Sequence, residues 1–63
     1  MPIIRMTLVA GRDPDAIERC MREVARTVHR ELDAPMSAIR VVVDEVPPSR
    51  FAVGDRLKNE ENP

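Results

Sequence analysis

One amphipathic helical pattern set between two short apolar runs leaves this chain few ways to fold. Ile17, Cys20, Met21, Val24, Ala25, Val28 and Leu32 recur at spacings of three and four residues, a continuous apolar stripe. Arg19, Arg22, Glu23, Arg26, Arg30 and Glu31 cover the remaining surface. Asp13-Pro14 supplies the start, with aspartate as the cap and proline at the first helical position, where a missing N–H costs nothing. Asp15 and Glu18 add negative charge near the positive end of the helix dipole. The stripe stops at Asp33-Ala34-Pro35, because the residue before a proline is pushed out of helical geometry.

Residues 1–9 read as a strand, with Ile3, Ile4, Met6, Leu8 and Val9 apolar and Arg5 and Thr7 interleaved, until Ala10-Gly11-Arg12 breaks it. Residues 39–46 read as a second strand, apolar on both faces through Val41-Val42-Val43. The fold class is therefore α/β: one βαβ unit with parallel strands and a right-handed crossover. Val46-Pro47-Pro48-Ser49 ends the sheet, Phe51-Ala52-Val53-Gly54 is expected as a short C-terminal hairpin arm, and residues 55–63 as a polar, frayed tail. The chain, 1–63, is read as a single domain with no internal repeat.

Sixty-three residues with one aromatic side chain, Phe51, make a thin core. Domains this small add disulfides, a metal or partners. A single cysteine forms no intrachain disulfide, and Cys20 and His29 lie nine residues apart on one helix, which puts them on opposite sides of it. No metal site is expected. Self-association is left: one face of the second strand packs on the helix, and its other face is expected to meet a second copy. The assembly is expected to be an oligomer.

Charge narrows the class of partner. Ten basic against eleven acidic side chains give a net charge of −1, and Trp and Tyr are absent, so neither the basic footprint nor the stacking platforms of a nucleic-acid binder are present. No apolar run approaches the roughly 20 residues that span a membrane, and no secretory signal is visible. A cytoplasmic location is expected. The carboxylates of Asp44-Glu45 point to opposite faces of a strand, those of Glu60-Glu61 lie in the tail, and Gly11 and Gly54 are too isolated to build a phosphate loop. Cys20 is expected as a small core residue, and His29 beside the stripe as solvent-facing or at an interface.

The informative residues are at the amino terminus. Methionine before proline is a sequence from which the initiator residue is commonly removed, and removal leaves Pro2 as a free secondary amine. An α-amino group starts near pKa 8, well below lysine, and apolar surroundings with nearby cations lower it toward neutrality. Such an amine is a general base or a nucleophile at pH 7. Arg40 interrupts an apolar strand, where a charge is costly without a partner. Pro2 and Arg40 both start parallel strands and are expected as neighbours within a subunit or across an interface. Arg12 lies up to about 33 Å from Pro2 along an extended strand, so it is expected to serve a different subunit's Pro2.

Met-Pro-Ile-Ile at the start, Gly11-Arg12, Leu32-Asp33-Ala34-Pro35, Arg40 with its valine run, and Phe51 after a Pro-rich turn together resemble the 4-oxalocrotonate tautomerase family of the tautomerase superfamily. The resemblance runs from residue 2 to about residue 54 and rests on the order and spacing of these five features. It implies βαβ subunits in a hexamer, a trimer of dimers, with the initiator methionine removed. It implies an isomerase in which Pro2 is the general base. That base takes a proton from 2-hydroxymuconate, a dienol dicarboxylate of aromatic-hydrocarbon catabolism, and returns it at another carbon to give the conjugated 2-oxo acid. Arg12 matches the arginine that binds the distal carboxylate from a neighbouring subunit. Arg40 matches the one that engages the 2-oxo group and its carboxylate, and Phe51 the aromatic residue that keeps the pocket apolar. Val9 occupies a position whose backbone is near the site in relatives. The resemblance implies no metal or organic cofactor.

The chain departs from the family pattern in three places. Ala52-Val53-Gly54-Asp55 stands where the arm is usually glycine-rich, the end from Lys58 to Pro63 is acidic and polar rather than basic, and Val9 is a mild change. Other readings stand beside a 2-hydroxymuconate-type tautomerase. One is a related proline-based enzyme on another substrate, a hydratase-dehalogenase or a biosynthetic tautomerase. The hydratase branch uses a glutamate near the aromatic position, and Ala52 and Val53 offer no carboxylate. Another is a catalytically silent subunit of a hetero-oligomer, favoured if Met1 is retained, since Pro2 is then acylated. The last is a small interaction module, against which Arg40 inside an apolar strand counts.

Overall fold

The structure, a computed structural model, describes residues 1–60. Strand β1 spans Ile3–Val9, helix α1 Pro14–Leu32 and strand β2 Arg40–Val46. β1 and β2 pair in parallel from Ile3↔Arg40 to Val9↔Val46, so the chain is the βαβ unit that its patterning predicts. A 3₁₀ turn at Met36–Ala38 leads into β2, and a second at Pro48–Arg50 leaves it.

Each boundary has a local cause. The Asp13 carboxylate accepts a hydrogen bond from the Asp15 amide at 3.0 Å, satisfying one of the orphan donors of the first turn, and Pro14 follows directly. Asp13→Ala is expected to cost about 1 kcal/mol of stability, read as a shift in the urea midpoint at fixed protein concentration. At the other end the helix stops one residue before the Ala34-Pro35 pair, with Asp33 in the left-handed region at φ 54° and ψ 34°. Aspartate there carries both the Cβ clash of a left-handed residue and a negative charge at the negative end of the helix. Asp33→Gly is therefore expected to raise stability by about 0.5–1 kcal/mol in the same unfolding experiment.

The sheet has two unlike faces. Ile4, Met6 and Leu8 of β1 are half-buried, while Ile3, Arg5 and Thr7 are exposed, an alternation that puts the first set toward the helix. The register places Val41 and Val43 with the helix-facing set, and Arg40, Val42 and Asp44 with Ile3, Arg5 and Thr7 on the bare face. The helix lies mainly over β2. Its stripe is consequently used unevenly: Ile17, Met21, Val24, Ala25 and Val28 are half-buried, whereas Cys20 and Leu32 are exposed. The expectation of Cys20 as a core residue is thus corrected, because the flank that carries it projects past β2 over the half-covered β1.

After β2 the chain forms the expected arm, but the arm is longer than expected. β3, Ala52–Val53, pairs antiparallel with β4, Arg56–Leu57, around Gly54, whose φ of 64° suits the first position of a two-residue hairpin loop. The Lys58 amide then donates to the Phe51 carbonyl at 2.8 Å, and Lys58–Glu60 forms a further 3₁₀ turn packed on Pro48–Arg50. The stretch read as a frayed tail from Asp55 onward is folded as far as Glu60. The rest of that tail, including Glu61 of the acidic pair, lies outside the described residues.

One hydrophobic residue among those described, Ile39, is buried, at 9% exposure, while Ile3 is 58% and Val53 64% exposed. The radius of gyration is 14.8 Å, against about 11 Å for a compact domain of this length. Among the described residues the two long strands and the helix enclose no core, and the bare face and both edges of the β1–β2 sheet are open.

Candidate active site

The parallel register sorts the candidate residues to two ends of the sheet. At one end lie Pro2 and Arg40, whose backbones are joined by a 2.9 Å hydrogen bond from the Arg40 amide to the Pro2 carbonyl. At the other end lie Val9, paired with Val46, then Arg12 just beyond β1 and Phe51 just beyond β2. The Ala10 amide donates to the Val46 carbonyl at 2.8 Å and ties those two exits together. Seven strand residues separate the ends, about 23 Å at the usual rise. One copy therefore does not bring Pro2 within reach of its own Arg12, as its sequence separation indicates, nor of its own Phe51.

Local structure positions each group. Pro2 is half-buried, ahead of the helix-facing residue Ile4 by two positions. Arg40 is exposed, and its guanidinium Nη1 donates to the Ser37 carbonyl at 2.8 Å and approaches that of Ile39 at 3.4 Å. The picture of a charge interrupting an apolar strand is corrected here: Arg40 is the first residue of β2, and main-chain carbonyls partner it. The register puts Arg40 on the face of Ile3, opposite that of the Ile4 set. Even these two backbone neighbours thus leave the strands on different faces. Phe51 is half-buried behind the Pro48–Arg50 turn, with its amide donating to the Pro48 carbonyl at 3.4 Å.

A groove of about 390 Å³ runs along β1 between Met6 and Leu8 on the sheet and Ala16, Ile17 and Cys20 on the helix. Arg12 borders it; Pro2, Arg40 and Phe51 do not. The residues singled out by the sequence thus lie at the two ends of the sheet, and one copy does not bring them together. The Ser37 and Ile39 carbonyls that hold Arg40 escaped sequence reasoning, since backbone acceptors leave no side-chain signal. His29 is exposed as expected, but its Nδ1 lies 2.6 Å from the Ala34 carbonyl, a bond that helical periodicity does not announce.

Comparison with known proteins gives the family. The family model described as tautomerase enzyme matches residues 2–60. The chain belongs to the tautomerase family. A tautomerase-family relative, 2-hydroxymuconate tautomerase of Stutzerimonas stutzeri, is 37% identical over 54 residues, 86% of each chain. Among solved structures, TomN, described as a 4-oxalocrotonate tautomerase homologue in the tomaymycin biosynthetic pathway, is 39% identical with a TM-score of 0.87, covering 94% of this chain and 91% of its own. A heterohexamer 4-oxalocrotonate tautomerase from Chloroflexus aurantiacus is 26% identical with a TM-score of 0.89, covering 98% of this chain and 100% of its own. The tautomerase fold is thus spanned nearly end to end, and these similarities place the chain among the isomerases of the 4-oxalocrotonate tautomerase group.

Proposed function

We propose that this chain is a proline-based tautomerase that isomerises 2-hydroxymuconate-type dienols to conjugated 2-oxo acids. The observation that carries the reading is the placement of Pro2 and Arg40 at one end of the sheet, on opposite faces of it, and of Arg12 and Phe51 at the other end, so that a complete site is assembled between copies. Met1 is 78% exposed, and its removal frees the Pro2 nitrogen. That amine takes the proton from the enol hydroxyl and returns it to a distant carbon of the conjugated chain, so it needs a pKa near ambient pH. Arg40 stabilises the charge that develops on the 2-oxo group, and a guanidinium fork suits both that oxygen and the adjacent carboxylate. Arg12 from another copy takes the distal carboxylate, and Phe51 keeps the pocket apolar. Val9 contributes its backbone to the wall. The active assembly is an oligomer, a hexamer of three dimers by analogy with the family, built from this chain alone or with a second type of chain.

The similarity to TomN favours a second reading, in which the same base acts on an enol of a biosynthetic pathway. The test is ultraviolet-monitored isomerisation by purified protein of 2-hydroxymuconate and of an enolpyruvate that lacks a second carboxylate. Fast turnover of the dicarboxylate alone supports the first reading, and preference for the monocarboxylate supports the second. Turnover of neither removes both.

A further inference from the structure

From a chain of main-chain contacts ending at Arg40, we infer that His29 is a positioning residue for the Arg40 guanidinium. His29 lies in the last turn of α1, and its Nδ1 is 2.6 Å from the carbonyl of Ala34, five residues on. A carbonyl only accepts, so Nδ1 carries the proton; the Nδ1–H neutral tautomer and the imidazolium both supply it. This bond bridges Asp33, the strained left-handed residue, and closes the helix exit onto Pro35, which has no N–H of its own to hold the loop. Pro35 starts the next 3₁₀ turn, where its carbonyl accepts from the Ala38 amide at 2.9 Å and that of Met36 accepts from Ile39 at 3.2 Å.

The turn fixed in this way presents the two carbonyls, Ser37 and Ile39, that hold the Arg40 guanidinium. Ile39 is also the buried residue that seats the turn. The Arg40 amide also donates to the Pro2 carbonyl at 2.9 Å, so the turn is tied to the end of the sheet where Pro2 lies. Displacing the turn shifts the direction of the guanidinium without removing it. Errors of about 1 Å in such positioning cost up to about 10²-fold in rate.

This inference rests on the reading of Arg40 as part of the substrate site, and the test separates the two. His29→Leu removes the donor at similar size, and His29→Asn offers an amide N–H near the place of Nδ1. In His29→Leu, kcat/KM for 2-hydroxymuconate is expected to fall about 10-fold, His29→Asn is expected to recover most of it, and His29→Leu added to Arg40→Ala is expected to cost nothing further. Hydrogen exchange at the Ala38, Ile39 and Arg40 amides is expected to quicken in His29→Leu and to return toward the original rate in His29→Asn. An equal loss of kcat/KM with and without Arg40 overturns the inference, and so does unchanged exchange at those amides. If the unaltered protein turns over no enol while the exchange pattern follows the donor, the placing of His29 stands and the reading of the site falls.

Discussion

Pro2→Ala is expected to lower turnover of 2-hydroxymuconate by about 10²–10³-fold, the lower part of the roughly 10²–10⁴-fold that a positioned general base contributes. The alanine variant keeps a primary amine at the terminus, so some proton transfer survives in it. Protein that retains Met1 has an amide nitrogen at that position, with no basic lone pair, and is expected to be slower still. The measurement is the initial rate of the ultraviolet change, with mass spectrometry establishing the terminus of each preparation. The pH profile gives a second check: the rate of the unaltered enzyme rises with pH as the amine loses its proton, and that limb is absent from the Met1-retaining form. Full activity in Pro2→Ala would remove the proline from the mechanism, whatever the fold.

The second large effect is one of complementation. Pro2→Ala and Arg12→Ala chains, each nearly inactive alone, are expected to regain activity when unfolded together and refolded as mixed assemblies. With random mixing of equal amounts, a site needs one wild-type Pro2 and one wild-type Arg12 from two different chains, so about a quarter of the sites are complete. This follows from the roughly 23 Å of strand that separates the two ends of a subunit. Mixing the already folded, non-exchanging parents is expected to recover nothing. A site wholly contained in one chain predicts no recovery in either experiment. Phe51, at the same end as Arg12, is expected to behave as Arg12 does when replaced by alanine and paired with Pro2→Ala.

Both expectations depend on how much was already written in the sequence. Helical spacing from Ile17 to Val28, the Asp13-Pro14 start and the Pro35 stop gave the helix nearly to the residue, because each rests on backbone sterics within a few positions. The strands followed from apolar runs of the right length, and the parallel pairing from the single helix between them. The separation of Pro2 from Arg12 was likewise legible, since chain geometry bounds how far a seven-residue strand reaches.

What the sequence misplaced was set by contacts between distant segments. Cys20 and Leu32 carry the same periodic signal as Val24, yet both are exposed: Cys20 because the helix sits over β2 and leaves the flank above β1 uncovered, Leu32 as the last residue of the helix. The arm runs past Gly54 because the Lys58 amide finds the Phe51 carbonyl, a pairing that polar composition from Asp55 onward conceals. Arg40 reads as an intrusion among valines, but the fold makes it the first residue of β2, with the Ser37 and Ile39 carbonyls as partners. Periodicity and turn chemistry act over three to five residues, so the sequence alone determined the elements, their order and their direction. Which face each element shows and which carbonyl each donor meets depend on packing across the whole chain, and only the tertiary structure decided them.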